Sequence, residues 1–107
     1  MTREEAIAEI TARLVRFFQP VRIYLFGSVA RGEAGPDSDL DFLVVVPDDV
    51  AEEKLRPGAA RRAVTGMGFA KDIVPWRQTD FEQRAAWVSA SLPATVVREG
   101  RLLYEAQ

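Results

Sequence analysis

The sequence contains no histidine and no cysteine. This absence excludes Cys/His zinc sites, disulfide bonds, a redox CxxC pair, and nucleophilic catalysis by a Ser-His-Asp triad or a Cys-His dyad. Long apolar runs are missing as well, and none approaches the roughly 20 residues that a membrane-spanning helix needs. Any chemistry must therefore come from carboxylates, hydroxyls, lysine, arginine, tyrosine or backbone groups, and hard metal ions are the natural cofactors of carboxylates.

What remains is the composition of an ordinary globular domain. The 107 residues are 48% hydrophobic and 28% charged, and 14 basic against 16 acidic side chains give a net charge of -2. This length predicts one domain over residues 1–107, and the charged N-terminal segment, unlike a signal peptide, predicts a cytoplasmic protein. The negative net charge predicts no membrane association and no general nucleic-acid binding.

Hydrophobic patterns predict alternating helices and strands. β-branched and aromatic residues predict strands at 21–26, 40–46, 69–76 and 101–105. Apolar periodicity and turn residues predict helices at 3–19, 28–32, 50–65 with a break at 57–58, from 79 onward, and 93–99. The strand at 40–46 is nearly all apolar, which predicts burial on both faces. The result is an α/β fold with a small mixed sheet of three to four strands flanked by helices.

Several residues predict where these elements begin and end. Thr2 with Glu5, and Thr79 with Glu82, have the spacing of a capping box at a helix start. Pro75 predicts the end of a strand or an edge position, and an apolar stripe predicts the buried face of the helix after Thr79: Phe81, Ala85, Val88 and Leu92.

The pair Gly27-Ser28 stands where the first strand turns into a helix. Glycine has no side chain, so a phosphate can approach its backbone closely. Ser28 adds a hydroxyl and unpaired N–H groups at a helix start, which favour anions. Taken alone, such a pair is more often a turn followed by a helix cap.

Three aspartates form a candidate metal site. Asp39 and Asp41 lie two residues apart at the start of an apolar strand, which puts both carboxylates on one face, roughly 7 Å apart. Such a pair can hold two Mg²⁺ ions that bind a triphosphate and stabilise an in-line displacement. Asp72 is the candidate third carboxylate, because a charge between apolar strand residues is costly unless it is paired or metal-bound. The simpler interpretations are a solvated strand end and an edge position.

The joint occurrence of the two motifs carries more information than either one. Gly-Ser, ten residues and then Asp-x-Asp is expected by chance about once in a thousand chains of this size. This pattern, here Gly27-Ser28 followed by Asp39-x-Asp41, resembles the minimal nucleotidyltransferases of the DNA polymerase β superfamily. Residues 30–32 and Ser38 match flanking residues that are common in that family, and residues 98–105 are similar to its usual C-terminal end.

The resemblance implies a nucleotidyltransferase fold and an enzyme of class EC 2.7.7. The expected reaction is Mg²⁺-dependent transfer of a nucleoside monophosphate, AMP from ATP or the equivalent from another nucleoside triphosphate, to an acceptor hydroxyl. The implied Mg²⁺ ligands are Asp39, Asp41 and Asp72, and Asp72 is also the implied general base. The implied nucleotide-binding residues are Gly27, Ser28, Arg31 and Ser38. For Arg31, a surface ion pair with Glu33 or Asp37 is the alternative.

The resemblance also implies a partner protein. Small proteins of this kind often act as antitoxins of all-helical HEPN ribonuclease toxins, which they bind and can adenylylate on a tyrosine. Since one domain leaves no room for an acceptor-binding domain, the acceptor surface is expected from a partner or from another copy of the chain. Two alternatives stay open: a non-catalytic antitoxin that neutralises a helical partner by contact, and a transferase acting on a small molecule.

Two further groups have no assigned role. Arg56, Arg61 and Arg62 form a basic cluster that either steers a nucleotide or RNA or is a solvated helix face. Trp76 and Trp87 are predicted to be core or interface residues rather than platforms for base stacking.

Overall fold

Helices and strands alternate throughout the computed structural model, which describes residues 1–107. The elements are α1 (Arg3–Phe18), β1 (Arg22–Phe26), α2 (Gly27–Ala30), β2 (Leu40–Val46), α3 (Glu52–Leu55), α4 (Ala59–Ala63), β3 (Lys71–Arg77), α5 (Gln78–Trp87), α6 (Leu92–Glu99) and β4 (Arg101–Glu105). The predicted helices and strands are all present, with boundaries shifted by one to a few residues.

The four strands form one mixed sheet in the order β3-β2-β1-β4. β1 pairs antiparallel with both β2 and β4, whereas β2 and β3 are parallel. Pro75 lies in β3, at the edge of the sheet, where the missing N–H of proline removes no ladder hydrogen bond. The predicted α/β class with a small mixed sheet is therefore confirmed, as is the edge position of Pro75.

The core lies on both faces of β2. Phe42, Val44 and Val46 are fully buried in a cluster that α1 covers, while Leu43 and Val45 are fully buried on the opposite face with Phe81 of α5. Period-2 alternation sends neighbouring side chains to opposite faces, so a strand covered on both faces must be apolar almost throughout. Asp41 is the one residue of β2 that is not fully buried.

The two capping-box predictions have different outcomes. At α1 the box is confirmed: the Thr2 hydroxyl accepts from the Glu5 N–H at 3.1 Å, and the Glu5 carboxylate accepts from the Thr2 N–H at 2.7 Å. At α5 the prediction is wrong. The Asp48 carboxylate accepts from the Thr79 N–H at 2.9 Å and from the Thr79 hydroxyl, so the cap comes from the loop after β2.

The predicted apolar stripe of α5 is also wrong beyond its first turns. Phe81 is buried, but α5 ends at Trp87, Val88 is 42% exposed, and Leu92 begins the next helix. Gly100 ends α6, with φ at -78°. It is needed for space, because a Cβ there would lie 3.1 Å from the Leu25 carbonyl oxygen and closer still to that of Val96.

None of the helices combines the length and the apolar character that crossing a membrane requires.

Candidate active site

Asp41 and Asp72 lie side by side on adjacent parallel strands. The register pairs Asp41 of β2 with Asp72 of β3, and it pairs Phe26, at the end of β1, with Asp41. Residues that pair across a sheet project from the same face. The two carboxylates therefore emerge together where β2 and β3 begin and β1 ends.

Asp41 lies in surroundings that disfavour its charged form. Its partial burial raises the pKa of the Asp41 carboxyl, and the negative charges of Asp72 and Asp39 raise it further. None of these three carboxylates forms an ion pair with a lysine or arginine of the chain. The three carboxylates therefore carry like charges that no basic side chain of the chain neutralises.

Gly27 brings the end of β1 against this cluster. Its φ of +77° lies in the left-handed region, where side chains are strained, and a Cβ at this position would overlap the Oδ2 atom of Asp41. Both conformation and space therefore require glycine here. Ser28 follows in the first turn of α2, whose start carries no side-chain cap.

The structure gives Arg31 and Ser38 local contacts in the loop between α2 and β2. The Arg31 guanidinium pairs with the Glu33 carboxylate at 3.2 Å, which is the surface ion pair that the sequence offered as the alternative. The Ser38 hydroxyl accepts from the Gly35 N–H at 3.0 Å. Their assignment to nucleotide binding stays a prediction.

The chemistry of the three aspartates fits a hard divalent cation. Mg²⁺ prefers carboxylate oxygens, and positive charge would stabilise the ionised form of Asp41, whose pKa is raised by partial burial and by the neighbouring aspartates. As the side chains stand, no three carboxylates of the chain lie close enough together to enclose a metal ion.

A cavity that the sequence does not predict lies beside Asp72. It has a volume of about 300 Å³ and lies between the α3–α4 segment and the edge strand β3; its lining includes Lys54, Arg56 and Arg61 along with Asp72. The arginines stood out in the sequence only as a basic cluster. Nothing local along the chain indicates that they share a cavity with an aspartate of β3.

The two tryptophans differ in their surroundings. Trp76 of β3 packs, partly buried, against the cluster that contains Leu43 and Phe81. Trp87, at the end of α5, is 84% exposed. The core interpretation is therefore wrong for Trp87, and the interface interpretation remains.

Two comparisons with known proteins give matches. A family model described as "Nucleotidyltransferase domain" matches residues 6–96, a range that spans the glycine and all three aspartates of the site. The chain is also similar to a chain in a crystal structure of "the toxin-antitoxin with AMP-PNP". That match has 25% sequence identity and a TM-score of 0.62, and it covers 94% of this chain and 74% of the other. A comparison with curated proteins finds no match.

Proposed function

The chain belongs to the nucleotidyltransferase domain family, and we propose that it is a minimal nucleotidyltransferase that transfers AMP from ATP to an acceptor hydroxyl. The observation that carries this proposal is the pairing of Asp41 with Asp72 directly beside Gly27. In this reaction the acceptor oxygen forms a bond to the α-phosphorus, the bond from that phosphorus to pyrophosphate breaks, and the proton of the acceptor hydroxyl passes to a base.

Each residue of the site has a role in the proposal. Asp39, Asp41 and Asp72 would hold Mg²⁺, which supplies charge neutralisation for the triphosphate and for the leaving pyrophosphate. The bare backbone of Gly27 gives the phosphates a close approach, with the Ser28 hydroxyl as a donor beside it. Asp72 lies outermost, on the edge strand, and is therefore the carboxylate best placed to take the acceptor proton.

The acceptor that we propose is a hydroxyl on a helical partner protein of the HEPN toxin type. The proposal is supported by the similar chain, which comes from a toxin-antitoxin whose structure contains AMP-PNP, an analogue of ATP. Under this proposal residues 1–107 act as one domain, with one sheet and a core cluster on each of its faces. The cytoplasmic location and a homo-oligomeric state stay predictions.

The test is a label-transfer assay with ATP labelled at its α-phosphate. The purified chain is incubated with Mg²⁺, the labelled ATP and the product of the adjacent gene, as wild type, Asp39→Ala and Asp41→Ala. The matched control is Asp49→Ala, which removes an exposed aspartate in the loop after β2. We expect labelled partner with wild type and Asp49→Ala and none with the other two variants.

Measuring neutralisation of the partner beside label transfer separates catalysis from binding alone. If Asp39→Ala and Asp41→Ala neutralise the partner as well as wild type does, and no chain transfers label, the protein is a non-catalytic antitoxin and the proposal is wrong.

A further inference from the structure

Three arginine side chains that contact no acid or hydrogen-bond acceptor of the chain lie together next to the candidate site. Arg56, Arg61 and Arg62 are exposed, form no ion pair and donate no side-chain hydrogen bond within the chain. Arg84 of α5 is the remaining arginine without a partner. Free guanidinium groups are therefore concentrated in the α3–α4 segment.

Two of these arginines line the cavity beside Asp72. Arg56 and Arg61 contribute to its wall, together with Lys54 and the outer edge of β3. The Lys54 ammonium is already engaged: it donates to the Phe17 carbonyl at 2.7 Å and lies 5.4 Å from the centre of the Phe17 ring. The cations of the cavity that are free to bind a ligand are therefore Arg56 and Arg61.

The order of the strands gives the cavity its place relative to the aspartates. Gly27 follows β1, Asp41 lies on β2 and Asp72 on β3, and the cavity lies along the free edge of β3. If the triphosphate lies against Gly27, as the proposed function has it, the cavity is on the opposite side of the aspartates. Because α4 packs on the face of the sheet opposite to the one that carries Asp41 and Asp72, an acceptor reaches both the arginines and Asp72 around the edge of β3.

We propose that Arg56 and Arg61 form an acceptor-side site that binds an acidic peptide segment flanking the hydroxyl to be modified. A guanidinium group binds a carboxylate through two parallel hydrogen bonds, which gives both affinity and orientation. The site thereby selects, among the hydroxyls of a partner protein, one with acidic neighbours. This inference rests on the proposed function for its acceptor role.

Charge and size favour a peptide over a nucleic acid as the occupant. Nucleic-acid binding depends on neutralising several successive phosphates, whereas only two free cations line this cavity. The net charge of the chain is -2, which opposes a long polyanion. A cavity of about 300 Å³ is at the small end for ligand sites and suits one or two side chains.

The experiment measures binding of two short peptides, Glu-Glu-Tyr-Glu-Glu and Gln-Gln-Tyr-Gln-Gln, by calorimetry without ATP or Mg²⁺. The tested variant is Arg56→Gln with Arg61→Gln. Its control is Arg16→Gln with Arg84→Gln, which changes the net charge equally at two exposed arginines away from the cavity. We expect the acidic peptide to bind roughly tenfold or more weakly to the tested variant and equally to wild type and control.

Further arms make the result decisive. Thermal melts establish that each variant folds. The double variant Arg56→Lys with Arg61→Lys keeps the charge but loses the paired hydrogen bonds, so it should bind the acidic peptide with intermediate affinity. Equal binding of both peptides, or equal weakening by the two glutamine doubles, would overturn the proposal. So would a tetranucleotide that binds more tightly than the acidic peptide and depends on Arg56 and Arg61.

The outcomes of the two proposals can be told apart. Peptide binding does not require nucleotide, so Asp39→Ala, which should abolish label transfer, should still bind the acidic peptide. If binding depends on the arginines but wild type transfers no label, the anion site stands and both the transferase function and the acceptor role fail. If label is transferred but wild type transfers it equally well to the acidic and the neutral peptide, the acceptor site is wrong and the transferase function stands.

Discussion

The two edges of the sheet differ in the side chains that they expose to solvent. The β3 edge carries Asp72 and Pro75 and faces a cavity lined by arginines without partners. At the β4 edge, Arg101 forms two parallel hydrogen bonds to the Glu4 carboxylate of α1, at 2.9 and 3.0 Å. The open groove there, of about 530 Å³, is lined mainly by apolar residues of α1 and β4.

The difference lies in how charges are paired. At the β4 edge, acid and base neutralise each other and fasten α1 to the last strand. At the β3 edge, Asp41, Asp72, Arg56 and Arg61 form no ion pairs. Partial burial raises the pKa of Asp41, and the charges of Asp72 and Asp39 raise it further. Clusters of unpaired charge oppose folding, and the proposals above give these a role: the aspartates would hold a metal ion and the arginines an acidic peptide.

The largest effect should come from neutralising the acid of the β3 edge. Asp72→Asn keeps the shape of the side chain but removes the proposed base and metal ligand, so label transfer should fall by roughly a hundredfold or more. Its unfolding free energy should not fall, because Asp72 is exposed and its charge repels that of Asp41.

The matched variant on the other edge is Glu105→Gln, which removes an acid of β4 that lies 3.9 Å from Arg22. It should transfer label at the wild-type rate. Equal activity losses in the two variants would erase the distinction between the edges.

Gly27→Ala should lower both activity and stability. The left-handed φ costs an L residue about 1–2 kcal/mol, and the new Cβ would also displace the Asp41 carboxylate. Gly32→Ala is the control, because Gly32 has a similar φ of +74° with nothing within 4 Å of a Cβ. Urea unfolding should show a loss in both variants, and the assay should show loss of transfer in Gly27→Ala alone. Wild-type transfer by Gly27→Ala would mean that Asp41 tolerates displacement.

The features predictable from sequence are those encoded by short-range patterns. The period of apolar residues gives α1 and β2 within a residue or two, and the fixed spacing of Gly27-Ser28 and Asp39-x-Asp41 indicates the site, because each strand end and its turn are local. The position of Asp72 beside Asp41 is harder to predict, because it depends on the register of two parallel strands joined by a long crossover.

What could not be predicted depends on contacts between distant segments. Thr79 and Glu82 have the spacing of a capping box, but Asp48, which lies 31 residues before Thr79, takes both donors of Thr79. The cavity depends in the same way on how the α3–α4 segment packs against β3. Local patterns indicate which hydrogen bonds and contacts a residue can form, and the packing of distant segments determines which of them form.

A smaller effect is expected from Asp48→Ala, which tests whether every acid near β3 serves the site. The hydroxyl and the N–H of Thr79 lower the pKa of Asp48, so this carboxylate stabilises the start of α5 rather than a ligand. The variant should melt a few degrees below wild type and transfer label normally. Asp49→Ala, next to it in the same loop, should melt like wild type. A loss of transfer in Asp48→Ala that matches that of Asp72→Asn would place Asp48 in the site.

The smallest effect should appear at the β4 edge, in the pH dependence of the Glu4–Arg101 pair. The hydrogen bonds from Arg101 hold the pKa of Glu4 below its usual value of 4.5. A lowered carboxyl pKa stabilises the folded state above pH 4.5, and that contribution is lost as the pH falls through the folded-state pKa.

Glu4→Gln should therefore lower the unfolding free energy at pH 7 by no more than about 1 kcal/mol, because the pair is solvent-exposed. The difference from wild type should vanish in acid and shrink in high salt. Urea unfolding at several pH values measures it, with Glu99→Gln, an exposed acid without a partner, as the control. Label transfer at pH 7 should be unchanged, because Glu4 pairs with Arg101 at the β4 edge and has no role in the proposed site. A Glu4→Gln variant that folds but transfers no label would show that the two edges act as one site.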